Sequence, residues 1–197
     1  MTTPGISAHA RTTPDKPALI GERVVTYHEL DVRTTRLAHA MASWGGTGGS
    51  RVAVMLPNSA AWFEAAIAAS KLDAEIVPVN WHLRAGEVSW ILGDSGATLL
   101  VAHESLEEAW RDAPCRVLVV PGALEEAIAS VPGDCEPLEA APAPAPVFYT
   151  SGTTGRPKGV EHGMVDRARM LVAQEYQRNL WFWTPEDVYI LSGPAYH

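Results

Sequence analysis

Residues 149–160 read Tyr-Thr-Ser-Gly-Thr-Thr-Gly-Arg-Pro-Lys-Gly-Val and follow directly on the apolar pair Val147-Phe148. A strand that feeds hydroxyls, glycines and a lysine into one short loop can wrap donors around phosphate oxygens. Glycine lets the main chain approach an anion closely and adopt positive φ. Lys158 adds a point charge for outer phosphates, and Pro157 fixes the backbone just before it. The Walker A loop is excluded by spacing, since it needs Gly, four residues, then Gly-Lys-Ser/Thr. Five residues after Gly152 stands Pro157, and five after Gly155 stands Val160. Lys158 precedes Gly159, so no hydroxyl is placed to hold magnesium in the Walker manner. Taken loosely, the same composition also reads as a flexible linker.

Downstream, a helix is expected over about Met164 to Tyr176, with Met164, Ala168, Leu171, Val172 and Tyr176 as an apolar stripe packed in a core. His162, Trp181 and Trp183 are assigned to packing as well. Asp187 to Leu191 reads as a strand leading to the terminal Gly193-Pro194-Ala195-Tyr196-His197. Upstream, residues 132–146 change to Pro, Ala and acidic residues, which predicts an extended surface connector.

Residues 1–131 alternate between strand and helix patterns. Thr26-Tyr27-His28-Glu29 fits a capping box, with Thr26 as N-cap and Glu29 reaching back to its N–H. Leu30, Leu37, Met41 and Trp44 follow at helical spacing until Gly45-Gly46. Arg51–Leu56 is a strand, and about Ser59 to Leu72 a helix with Trp62, Phe63, Ala66 and Ile67 on one side. Glu75–Val79 is a strand with Pro78 at a terminus or edge, and Arg84–Leu92 a helix stopping at Gly93. Ala97–Ala102 and Arg116–Val120 are strands; Ser105–Arg111 and Ala123–Ser130 are helices. Strands apolar along their length, alternating with helices, predict an α/β fold with a parallel sheet covered on both faces.

The chain has 197 residues, 47% of them hydrophobic and 19% charged, in the range of an ordinary globular protein. Its net charge of −8 offers no basic surface for nucleic acid and argues against docking on anionic membranes. Cys115 and Cys135 form no CxxC or His-spaced set, so neither a disulfide framework nor a zinc site is expected. No signal peptide or transmembrane segment is legible, which predicts a cytoplasmic protein.

Residues 149–160 resemble the phosphate-binding signature of the adenylate-forming superfamily, which includes acyl-CoA and aryl-CoA ligases, luciferases and peptide-synthetase adenylation domains. The match at twelve consecutive positions displaces the linker reading. Weaker likenesses span Thr13–Ile20, Val25–Leu30, Arg51–Asn58, Val77–Asn80 and Ile91–Ala97. Two turns depart from the family pattern: Ser50 stands where a Gly-Asp-Arg turn usually has aspartate, and Asp73 where a small residue, often glycine, usually closes the helix. The resemblance implies layered parallel sheets with helices on both faces, as in the N-terminal part of the family's large domain. It divides the chain into 1–131 (α/β units), 132–146 (connector) and 147–197 (phosphate loop and following helix–strand).

The activity implied by the resemblance is that of an acid–CoA ligase. A carboxylic acid, a fatty acid first and an aryl acid second, is activated by ATP as acyl-AMP with Mg2+ present, then transferred to CoA. Thr150, Ser151, Gly152, Thr153, Thr154, Gly155 and Lys158 would hold the ATP phosphates; Arg156, at a variable position, is left out. Tyr196 and His197 would line the carboxylate end of the acyl pocket, His197 as a catalytic candidate. A solvated chain end is the competing reading of His197. Tyr196-His197 also disfavours the amino-acid adenylation branch, where aspartate more often follows the aromatic. In the family, the groups that hold ribose, adenine and magnesium, and the catalytic lysine, would lie beyond His197. This chain alone is therefore expected to be inactive, and to self-associate or pair with the missing part. A non-catalytic nucleotide-binding or interaction fragment is the alternative from another class.

Overall fold

In a computed structural model, residues 5–139, 146–150, 156–160 and 167–196 are described. Helix α1 (Ile6–Thr12) leads into an antiparallel pair, β1 (Pro17–Ile20) and β2 (Val24–Thr26). Next come α2 (Tyr27–Ser43), β3 (Arg51–Met55), α3 (Ala60–Lys71), β4 (Glu75–Pro78) and α4 (Ala85–Ser95). After β5 (Leu99–His103), a short 3-10 turn precedes α5 (Glu107–Trp110), β6 (Arg116–Val120) and α6 (Gly122–Ser130). The hairpin β7 (Phe148–Thr150) and β8 (Lys158–Val160) and helix α7 (Arg167–Leu180) complete the described elements.

Four strands form one parallel sheet in the order β4-β3-β5-β6. Because side chains alternate across a strand, the sheet builds two cores. Val52, Val54, Val101, Leu118 and Val120 meet α2, α3 and α6 on one face. Ala53, Met55, Val77, Leu100 and Ala102 meet Val88, Ile91 and Leu92 of α4 on the other. The expected doubly covered parallel sheet is thus observed. Pro78 ends β4, the strand at one edge of the sheet, where its missing N–H breaks no ladder.

Several expectations need correction. The capping box is half formed: Thr26 Oγ1 accepts from Glu29 N–H at 3.2 Å, but the Glu29 carboxylate turns to Arg23 instead of the Thr26 N–H. Helix α3 buries Ala65, Ala68 and Ala69, while Trp62, Phe63, Ala66 and Ile67 are only half-buried. Alanines let α3 lie close to α2 and leave the larger rings at the rim. Helix α4 runs through Gly93 and stops at Gly96, which takes the left-handed conformation at φ +65. No strand forms over 187–191, because no neighbouring strand supplies hydrogen-bond partners. Val172 and Tyr176 of the expected core stripe are exposed, as are Trp181 and Trp183. Met164 and His162 lie outside the described residues, and the Ala168 and Leu171 side chains are likewise not described.

The connector is described as far as Glu139 and is held down on α2 and α1. His39 Nε2 lies 2.7 Å from Glu136 O, Leu138 packs on the α2–α3–α6 face, and Glu139 pairs with Arg11. Both departures from the family pattern sit in one turn region. Ser50 Oγ accepts from Thr47 N–H at 3.1 Å, and Asp73, at φ +56, accepts from Gly49 N–H at 3.2 Å. The glycine usual at that helix end has a physical reason, since residue 73 must be left-handed.

Two partly buried charge clusters tie the helices together. Arg33 of α2 bonds Glu64 of α3 at 2.6 and 3.1 Å and Glu125 of α6 at 2.6 and 3.1 Å, with the Glu64 side chain only 2% exposed. Lys71 bonds Asp31 at 2.7 Å and Thr35 at 2.6 Å, and Asp31 also accepts from Ser7 at 2.6 Å. Burial pulls the Lys71 ammonium below its ordinary pKa, and Asp31 partly offsets this.

Candidate active site

The phosphate signature is carried by the β7–β8 hairpin. Its antiparallel register pairs Phe148 with Val160, Tyr149 with Gly159 and Thr150 with Lys158. Thr150 and Lys158 therefore stand opposite each other, both exposed, as the last described pair of the hairpin. Ser151, Gly152, Thr153, Thr154 and Gly155 lie outside the described residues, as does His197.

The hairpin is joined to the main sheet at the β4 edge. Val147 N–H donates to Ile76 O at 2.9 Å, and the Val147 side chain is buried in the core beside α4. Helix α4 meets both arms. Tyr149 Oη donates to Asp94 Oδ2 at 2.7 Å, and Trp90 Nε1 donates to Pro157 O at 3.2 Å. The Arg156 guanidinium lies 4.5 Å from the Trp90 ring centroid. Burial and the Asp94 carboxylate push the Tyr149 phenol well above its ordinary pKa, so it remains a neutral donor. An open groove of about 530 Å3 runs beside these contacts, lined in part by Glu87, Trp90, Asp94 and Arg156.

Tyr196 reaches its place from a different support. Asn58, in the loop after β3, donates through Nδ2 to Gly193 O at 2.8 Å and accepts Ala195 N–H at 2.8 Å. This two-point grip fixes the backbone just before Tyr196, which is 9% exposed. Asn58 lies past the carboxyl end of β3, beside β5, where the crossovers of an open α/β sheet change direction and ligand crevices form. The structure thus brings Thr150 and Lys158 together and gives Tyr196 its own attachment. Sequence reasoning assigned Asn58 and Asp94 only to scaffolding and passed over Trp90. The legible signal was the spacing of Trp90 and Asp94, four apart on one helix and so on one face.

Among the described residues, no group of three or more His, Cys, Asp or Glu side chains could hold a metal ion. No helix of the described residues is long and apolar enough to cross a membrane. Cys115 and Cys135 are free thiols, and burial raises the pKa of Cys115.

The sequence pattern of the family described as AMP-binding enzyme matches residues 6–197. The fatty acid–[acyl-carrier-protein] ligase ScoC of Streptomyces coeruleorubidus is 35% identical over 204 residues, covering 97% of this chain and 38% of that protein. The o-succinylbenzoate CoA synthetase (MenE) of Bacillus subtilis, in complex with its acyl-adenylate intermediate OSB-AMP, superposes with a TM-score of 0.80 at 27% identity, covering 98% of this chain and 39% of that one. The same enzyme in complex with ATP and magnesium ion gives a TM-score of 0.79 at 25% identity, covering 100% of this chain and 52% of that one. The chain thus spans about two fifths of the length of the first curated relative it matches.

Proposed function

Since the chain belongs to the family of AMP-binding enzymes, we propose that it supplies the phosphate grip of an acid–thiol ligase that makes an acyl-adenylate from ATP. The observation that carries this reading is the hairpin register. It sets Thr150 against Lys158, the residues that flank the sequence Ser-Gly-Thr-Thr-Gly-Arg-Pro. A carboxylate oxygen attacks the α-phosphorus, and the bond to the departing pyrophosphate breaks. Thr150, Ser151, Thr153 and Thr154 donate hydroxyl hydrogen bonds to the phosphates, and Gly152 and Gly155 their N–H groups. Lys158 neutralises the outer phosphates, where charge accumulates as pyrophosphate leaves. Donors fixed in advance at such positions are each worth about 3 kcal/mol.

The acyl-adenylate is then consumed by a thiol, which displaces AMP and gives a thioester. CoA is the proposed acceptor, and a fatty acid the proposed substrate, ahead of an aryl acid. Tyr196 and His197 are proposed to face the carboxylate end of that acid. Magnesium, with its protein ligand, the ribose and adenine contacts and the catalytic lysine are proposed to come from sequence beyond His197. The proposed division of the chain remains 1–131, 132–146 and 147–197, in a cytoplasmic protein. By itself the chain is proposed to be inactive and to pair through its exposed apolar residues with the remaining part.

Carboxylate-dependent exchange of pyrophosphate into ATP, measured on the intact gene product, tests the reading. Lys158→Ala is expected to lower exchange by about a hundredfold with an unchanged melting transition. Undiminished exchange in that variant overturns the role of Lys158. Thioester formed with CoA, but not with a holo-carrier protein, selects the CoA ligase over the carrier-protein ligase that one relative exemplifies.

A further inference from the structure

We infer that Trp90 and Asp94 of α4 are positioning residues that clamp the two arms of the phosphate hairpin and set the separation of Thr150 from Lys158. The two side chains lie four residues apart on α4, one turn above the other. Asp94 holds the β7 arm through the Tyr149 hydroxyl at 2.7 Å. Trp90 holds the β8 arm through Pro157 O at 3.2 Å, one residue before Lys158, and its ring carries the Arg156 guanidinium. Among the described residues Thr150–Lys158 is the last pair of the ladder, so these two ties act where the backbone pairing ends.

Gly159 makes the clamp possible. It is the register partner of Tyr149, and a Cβ added at Gly159 would stand 3.1 Å from both the ring and the hydroxyl of Tyr149. A side chain there would push the ring off β8 and its hydroxyl away from Asp94. The glycine after Lys158 thus serves the Tyr149–Asp94 contact and needs no positive φ to justify it. In the same way, Arg156 gains a role that needs no contact with phosphate, since stacking on Trp90 steers the backbone entering β8.

The inference rests on the phosphate-grip reading for its effect on ATP, and on geometry alone for its effect on the hairpin. Amide hydrogen exchange at residues 158–160 and the KM for ATP are therefore measured together on the intact gene product. Trp90→Phe keeps a ring for Arg156 and removes the Nε1–H donor; Tyr149→Phe removes the hydroxyl. Each is expected to speed exchange at 158–160 and to raise the ATP KM by about three- to tenfold, the equivalent of one hydrogen bond. The KM for the carboxylate should stay unchanged, whereas a general loss of folding would lower kcat and leave both KM values alone. Trp90→Ala and Gly159→Ala should have the larger effects. Unchanged exchange in both Trp90→Phe and Tyr149→Phe overturns the clamp. Faster exchange in these variants, with an ATP KM that neither they nor Lys158→Ala alter, keeps the clamp and overturns the phosphate reading.

Discussion

The four-stranded sheet and the segment from α7 onward carry similar apolar residues and put them to opposite use. Leu100, Val101 and Met55 are wholly buried between two layers of helices. Val172, Tyr176, Leu180, Phe182 (84% exposed) and Ile190 (80% exposed) lie on the surface. The difference lies in partners. Each sheet strand sits between helices that follow it closely in sequence, whereas α7 and residues 181–191 have no second layer to close over them among the described residues. Apolar periodicity reports that a face will be covered, but not by what.

The sharpest way to break the comparison is one truncation in each region. Leu100→Ala is expected to cost about 3 kcal/mol of unfolding free energy, because it leaves a cavity under α4. Leu180→Ala should change it by less than about 0.5 kcal/mol. Urea unfolding followed by far-ultraviolet dichroism measures both. A large loss from Leu180→Ala would mean that the α7 surface is covered in solution.

A smaller effect, of opposite sign, is expected at Asp73. A non-glycine residue at φ +56 bears a conformational cost, so Asp73→Gly should raise the urea midpoint by the equivalent of about 0.5 kcal/mol. A lowered midpoint would show that the aspartate side chain contributes more than the strain costs.

The smallest effect is electrostatic. Arg33 holds the Glu125 carboxyl below its ordinary value of 4.5 through their paired hydrogen bonds. A lowered carboxylate pKa adds stability above the unfolded-state value and loses it as pH falls through the folded-state value. Glu125→Gln should therefore shallow the fall in unfolding midpoint below about pH 4.5 and leave its slope near pH 7 unchanged. Equal acid slopes in the two proteins would show that Glu64 alone satisfies Arg33.

How much was legible follows from these contrasts. Strand β6 was read with its observed bounds, because Val117–Val120 is apolar throughout and breaks flank Arg116–Val120. The end of α4 was misplaced because a glycine was taken as a stop wherever it fell. Gly93 sits inside the helix, and only Gly96 takes the left-handed conformation that ends it. The buried face of α3 was not legible from side-chain size, since helix proximity selected Ala65, Ala68 and Ala69. The family signature was legible because its residues are consecutive in the chain. Its supports on α4 and the Asn58 grip were not, since each joins residues more than fifty apart and only the folded sheet brings them together.

The chain of contacts from Ser7 through Asp31 to Lys71 has a consequence for synthesis. Helix α1 is made before α2 and α3, but its anchor is incomplete until Lys71 has emerged and delivered its ammonium to Asp31. The strand order imposes a second delay. β3 meets β4 on one side early, and its other side stays open until β5 arrives some twenty residues after β4. During that interval one of the two inner strands of the finished sheet is an unpaired edge, open to a neighbouring nascent chain. The growing polypeptide is therefore most exposed to misassembly between the completion of β4 and the arrival of β5, well before the phosphate hairpin is made.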